Sequence, residues 1–254
     1  MGNRLAGRVA LVSGSTRGIG RTIAETFAAE GAKVAVTGRT MEKGQKVVDK
    51  IREAGGEAEF FQLDVTNEQS VHDTIEAVVA RFGSLTTLIN NAAPTTEVST
   101  TVKPLHEYTT EEWNGIITSA LTGNVFWASK YAWPHLVAAG NATIVNISSG
   151  QSLRGFTGFG AYGAAKGAMN SVTRTLAVEG APHGIRCNGI IVGRVVAGRG
   201  DSGVGMSKAS NSIGNPGQIA ATALFLSSDE SSFINGDLIT ADGGVTINGD
   251  LLIG

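Results

Sequence analysis

A single cysteine in 254 residues, Cys187, excludes an internal disulfide framework, and its place in an apolar run reads as a buried thiol. No apolar run is long enough to span a bilayer, and the opening segment, residues 1–8, lacks the apolar core of a secretion signal. A reducing cytoplasm is the expected compartment. Charge is sparse as well: Asp, Glu, Lys and Arg make up 17% of the chain, with a net charge of −2. The basic residues are scattered, which offers neither a nucleic-acid tract nor a polybasic membrane patch. The four histidines, His72, His106, His135 and His183, are too far apart for a metal-ligand set, so no metal is expected. Small molecules remain as partners. With 42% hydrophobic residues, the chain suits one domain over residues 1–254.

The chain does contain a sustained alternation of two periods. Residues 9–13, 33–37, 58–62, 87–90, 143–147, 186–191 and 238–241 read as strands. Helical patterns lie between them, over 19–30, 41–54, 67–82, 110–136, 161–180 and 216–226. Asn67 and either Thr109 or Thr110 are candidate N-caps. Seven strands alternating with helices imply an α/β fold, a doubly wound parallel sheet covered on both faces. Residues 193–214, rich in glycine and serine, read as a functional loop on the substrate side.

Two stretches carry chemistry. Gly14-x-x-x-Gly18-x-Gly20 follows the first strand and opens the first helix, where backbone N–H groups and the helix dipole cradle a pyrophosphate. Its order is not the general G-x-G-x-x-G, and an ordinary glycine-rich turn also fits the loop alone. The second stretch is Tyr162-Gly-Ala-Ala-Lys166, whose ends share one helix face. An ammonium beside a phenol lowers the phenol's pKa from about 10 toward working pH, as a general acid or base requires. Taken alone, such a pair more often marks a solvated helix surface.

These stretches gain meaning together with Leu63-Asp-Val65, Asn90-Asn-Ala-Ala93, Ser149 and Asp242-Gly-Gly244. In this order and spacing the chain resembles the short-chain dehydrogenase/reductase family over nearly its whole length. The general likeness is to bacterial 3-oxoacyl-carrier-protein reductases and hydroxysteroid-type carbonyl reductases. The resemblance implies a Rossmann-type fold with Ser149, Tyr162 and Lys166 as catalytic residues. It implies cofactor contacts from Gly14, Ser15, Arg17, Gly18, Ile19, Gly20, Arg39, Asp64, Val65, Asn91, Ala92 and Val195, together with Tyr162 and Lys166. Asp64 would accept from the adenine amino group, Lys166 would bond the nicotinamide ribose, and Ser149 would hold the substrate oxygen while Tyr162 moves its proton. The implied assembly is a homotetramer or homodimer packed through the helices over 110–136 and 161–180. The longer Tyr/Lys spacing of the enoyl-reductase branch is absent.

Cofactor preference follows from one position. NAD-binding sheets of this type carry an acidic residue about 20 residues past the glycine loop. Twenty residues past Gly18 stands Gly38, followed by Arg39, so NADP(H) is expected, with Arg39 and Arg17 pairing its 2′-phosphate. Two solvated surface arginines are the alternative. Leu153, Phe156, Phe159, Val195, Val196, Val204 and Met206 suggest an apolar or cyclic ketone or alcohol as substrate, while Arg154 offers either an anion partner or a solvated cation.

Two departures from the family keep a second reading open, that of a catalytically weak cofactor-binding scaffold or sensor. Ala197 stands where a threonine is usual. Ala120 stands where an asparagine is usual in a proton relay, and helical spacing makes Asn124, ahead of Ser119, the expected substitute.

Overall fold

The computed structural model describes residues 2–94, 98, 102–196 and 213–247. Strands β1 (Val9–Val12), β2 (Lys33–Gly38), β3 (Glu57–Gln62), β4 (Thr87–Asn90), β5 (Ala142–Ser149), β6 (Ile185–Val192) and β9 (Leu238–Ala241) form one sheet in the order β3-β2-β1-β4-β5-β6-β9. Every neighbouring pair is parallel. The two halves diverge between β1 and β4, the switch point at which open α/β sheets place ligands. Two short strands, β7 (Arg194–Val195) and β8 (Ile213–Gly214), pair with each other at the ends of the segment read as a loop. Most of that segment, including Ala197, Val204 and Met206, lies outside the described residues.

The strands are apolar on both sides because helices cover both. Along β1, Ala10 and Val12 pack under α1 (Gly18–Ala29), α2 (Met41–Glu53) and α7 (Pro216–Ser227). Val9 and Leu11 face α3 (Glu68–Phe82), α5 (Ala128–Ala139) and α6 (Gly160–Gly180). This alternation is the period of two expected of a strand. Phe27 on α1 is completely buried, and burial of a side chain that size contributes about 2–3 kcal/mol.

The caps follow the sequence. Asn67 accepts from the Ser70 N–H at 3.0 Å, and Thr109 forms a reciprocal capping box with Glu112 at the start of α4 (Thr110–Ile117). The continuous helix expected over 110–136 differs from the one found. Between α4 and α5, residues Thr118–Trp127 widen into a π-helix. A reason lies at Gly123: a Cβ there would stand 1.6 Å from the Val65 carbonyl oxygen, so the chain end beyond β3 presses directly on this backbone.

A buried polar chain crosses the centre of the sheet. The Asn90 amide donates to Asn146 Oδ1 at 2.8 Å, the Asn146 amide donates to Thr173 Oγ1 at 2.8 Å, and Thr173 donates to the Met169 carbonyl. Asn146→Leu removes the middle link and strands the Asn90 donor in a fully buried setting. The expected loss is about 1–3 kcal/mol, read as a lower urea midpoint at unchanged m-value.

Candidate active site

The site is assembled from strand ends, beginning at Ser13. Its hydroxyl oxygen accepts from the backbone N–H groups of Asn91 (2.8 Å) and Ala92 (2.9 Å) and has Asn124 Oδ1 within donating distance at 2.7 Å. The Asn91 amide returns across the same gap to the carbonyls of Ser13 (2.8 Å) and Gly14 (3.2 Å). Thus the glycine loop is fastened to the end of β4. The glycines meet separate requirements. Gly14 and Gly18 have φ of +64° and +56°, in the left-handed region. A Cβ on Gly20 would lie 2.4 Å from Asn91 Nδ2 and 2.5 Å from the Gly14 carbonyl oxygen.

A cleft of about 740 Å³ opens above these ends. Gly14, Arg17, Gly18, Ile19 and Gly20 form one wall, with Arg39 beyond β2 and Asp64 and Val65 beyond β3. Asn91 and Ala92 follow from β4, and Ser149, Tyr162, Lys166 and Val195 close the far side. The N-terminal turn of α1 lines this space, and the first N–H groups of a helix have no partner within it. A side-chain-free cradle at a helix N-terminus suits the pyrophosphate of a dinucleotide.

Ser15 is the exception. Its fully buried hydroxyl donates to the Val12 carbonyl at 2.8 Å and accepts from the Thr37 N–H at 2.8 Å, tying β1 to β2. Thr16 lines the cleft in its place, and its Cγ2 lies 2.6 Å from where a Cβ on Gly38 would stand. Asp64 combines two tasks: its Oδ1 accepts from Thr66 N (2.9 Å) and Thr66 Oγ1 (2.7 Å) in a turn, while the residue borders the cleft.

The expected depression of the Tyr162 pKa is not found. Burial pushes the phenol up to about 12, against a smaller lowering by the Ser149 side chain. Burial also brings Lys166 down to about 7. Lys166 is 1% exposed, donates from Nζ to the Ile147 carbonyl at 2.7 Å, and lies 5.6 Å from the centre of the Tyr162 ring. Its ammonium is bound to a neutral carbonyl and stripped of water, so it is no longer the fixed cation the spacing suggested.

Asn124 does not substitute for an asparagine at position 120. Its side chain is fully buried on Ser13, while Ser119 lines the cleft and donates to the Gly115 carbonyl at 2.8 Å. The wider π-helical turn breaks the four-residue spacing on which the expectation rested. Arg154 is half-buried. It donates to the Val245 carbonyl at 3.4 Å, lies 5.4 Å from the centre of the Phe156 ring, and interacts electrostatically with Asp242, whose carboxylate accepts from the N–H groups of Gly244 and Thr246. Leu153 and Phe156 are exposed beside it.

Comparison with known proteins agrees with this architecture. A family model described as enoyl-(acyl carrier protein) reductase matches residues 14–246. The chain is 37% identical over 260 residues to a 2,5-dichloro-2,5-cyclohexadiene-1,4-diol dehydrogenase of Sphingobium indicum, covering 97% of this chain and 99% of that one. It is also 37% identical over 253 residues to the cis-4-hydroxycyclohexanecarboxylate dehydrogenase of Sinomonas cyclohexanicum, with the same coverage. The crystal structure of a hydroxysteroid dehydrogenase from Escherichia coli superposes with a TM-score of 0.83 at 28% identity, covering 95% and 97% of the two chains. The chain belongs to the short-chain dehydrogenase/reductase family. It is an oxidoreductase of the alcohol and carbonyl pair, and the family implies a nicotinamide cofactor.

The Lys166 shift makes stability depend on pH. Between about 7 and 10.5 the unfolded chain binds more protons at this lysine than the folded chain does, so its burial costs stability that returns as pH rises. Lys166→Met is expected to be more stable than the parent near pH 7 by a few kcal/mol, with the difference shrinking toward pH 10.5. Chemical denaturation at several pH values reads this out.

Proposed function

We propose that the protein is an NADP(H)-preferring dehydrogenase that interconverts an apolar or cyclic secondary alcohol and its ketone. The observation that carries this reading is the convergence of Ser149, Tyr162 and Lys166 on the far wall of the cleft whose near wall is the glycine cradle. The four-residue spacing of Tyr162 and Lys166 favours alcohol chemistry over reduction of carbon-carbon double bonds. The relatives named above for cyclohexadiene diols and hydroxycyclohexanecarboxylates support a ring substrate, as do the exposed Leu153 and Phe156.

When bound, the nicotinamide supplies or accepts the hydride at the carbinol carbon. Tyr162, protonated at neutral pH, donates to the carbonyl oxygen in reduction; in oxidation its ionised form accepts the alcohol proton. Ser149 orients that oxygen. Lys166 holds a ribose hydroxyl and, when charged, draws the phenol toward ionisation. Arg17 and Arg39, both exposed at the cleft, pair a 2′-phosphate, and a side chain at position 38 would require Thr16, whose Cγ2 lies 2.6 Å from the Cβ site, to shift. The scaffold reading rests partly on Ala197, outside the described residues. For assembly we propose a homotetramer or homodimer, supported by the exposed Phe126 and Val178 on the helical segments expected to pack together.

Tyr162→Phe keeps the ring and removes the proton. Turnover of ring alcohols, followed by nicotinamide absorbance, is expected to fall at least about a hundredfold with cofactor affinity little changed. Near-parental turnover would remove Tyr162 from the mechanism. Arg39→Ala is expected to weaken NADPH far more than NADH in direct fluorescence titrations. Equal losses for the two would refute the phosphate pairing.

A further inference from the structure

Beside the catalytic wall stands a residue that the mechanism has not used. Gly150–Ser152 form a short 3-10 turn after β5, capped by Ser149 itself, whose hydroxyl oxygen lies 3.4 Å from the Gln151 N–H. The Gln151 side chain folds back so that its Oε1 accepts the Ser149 hydroxyl proton. Its position is fixed from the other side too: a Cβ on Gly163, next to Tyr162, would lie 3.0 Å from the Gln151 carbonyl oxygen. Gln151 is therefore packed by its backbone against the helix turn that carries Tyr162, half-buried and with its side-chain amide on the serine.

A serine hydroxyl has one proton. While Gln151 Oε1 holds that proton, Ser149 offers a carbonyl oxygen lone pairs only, and it cannot also lend the proton to the Tyr162 phenolate, the interaction by which Ser149 lowers that pKa. Rotation of the amide by half a turn reverses this, because Nε2 then donates to Ser149 Oγ and the serine proton turns toward the substrate. The two orientations have the same shape and opposite hydrogen-bond polarity.

We propose that Gln151 is a positioning residue whose amide orientation sets the direction of the Ser149 proton, and with it whether the site presents a donor or an acceptor to the substrate oxygen. This rests on the alcohol dehydrogenase reading given above. Either orientation serves one form of the substrate pair, since a ketone only accepts while an alcohol can also donate.

The test compares Gln151→Glu and Gln151→Leu with the parent. Glutamate has nearly the same shape, but as a carboxylate it only accepts, so it keeps the serine proton turned away. Ketone reduction by Gln151→Glu is expected to drop about a hundredfold in kcat near neutral pH, the size for losing one donor to a developing oxyanion, with KM for the cofactor unchanged. As pH falls through the glutamate pKa, the acid form donates to Ser149 and the ratio of variant to parent kcat should climb back. A merely structural role gives no such recovery. Gln151→Leu frees the serine proton and is expected to keep kcat within a few-fold of the parent. A Gln151→Glu ratio that is near one, or depressed but flat with pH, overturns the proposal.

A readout independent of turnover separates this assignment from the functional reading. Ultraviolet difference titration follows Tyr162 ionisation, with Tyr162→Phe as the blank. Gln151→Leu should lower the Tyr162 pKa, since the released serine proton can stabilise the phenolate, and Gln151→Glu should raise it. If the parent turns over no ring alcohol or ketone, the functional reading fails and this titration alone decides: opposite shifts support Gln151, and an unmoved Tyr162 in both variants overturns it.

Discussion

The hydroxyl of Ser13 is the small interaction on which the site depends. It receives two backbone N–H groups from the β4 end and is oriented from behind by Asn124, so one buried oxygen joins β1, β4 and the π-helical segment. Two charge-neutral hydrogen bonds of this kind contribute only about 1 kcal/mol each to net stability. Their importance is positional. They set the distance between the glycine loop and the Asn91-Ala92 backbone, and that gap is filled so closely that a Cβ on Gly14 would lie 3.0 Å from Ala92 Cα. A slack of a few tenths of an ångström there would move the whole glycine loop relative to Ser149 and Tyr162.

The same junction accounts for the irregular helix. Asn124 has to reach Ser13 while Ser119, five residues earlier, faces the cleft, and Gly123 must admit the Val65 carbonyl between them. Regular α-helical spacing serves neither demand well, whereas a wider turn separates them. The π-helix is thus tied to the site, and Ala120 beside it is an apolar filler, completely buried.

The sheet, its strand bounds and the main walls of the cleft were legible in the sequence because they depend on local period and on residues with a special backbone or chemistry. A short apolar run placed the first strand over residues 9–13, found as Val9–Val12, and glycines that take positive φ marked the loop. What stayed hidden depended on which way a side chain turns after the chain has folded. Ser13 and Ser15 are two serines in one loop, yet one binds β4 and the other β2, and neither composition nor spacing separates them. Thr16 on the cleft wall was overlooked for the same reason. Asn124 misled because its spacing was counted on an α-helix. Gly123 was the available signal, a glycine in mid-helix where a packed backbone is the usual cause.

The Tyr162 and Lys166 pair shows why spacing predicts proximity better than electrostatics. Residues four apart did come together, but the sign of each pKa shift followed from burial. Water is withdrawn from both groups, so the lysine resists its charge and the tyrosine keeps its proton. With an ammonium pKa of about 7, brought there by burial, Lys166 gains or loses its proton in the neutral range. On the reading proposed above, a ribose hydroxyl that restored polar contacts to the lysine would favour its charged form, and a charged lysine would ease ionisation of the phenol 5.6 Å away from it at the ring centre.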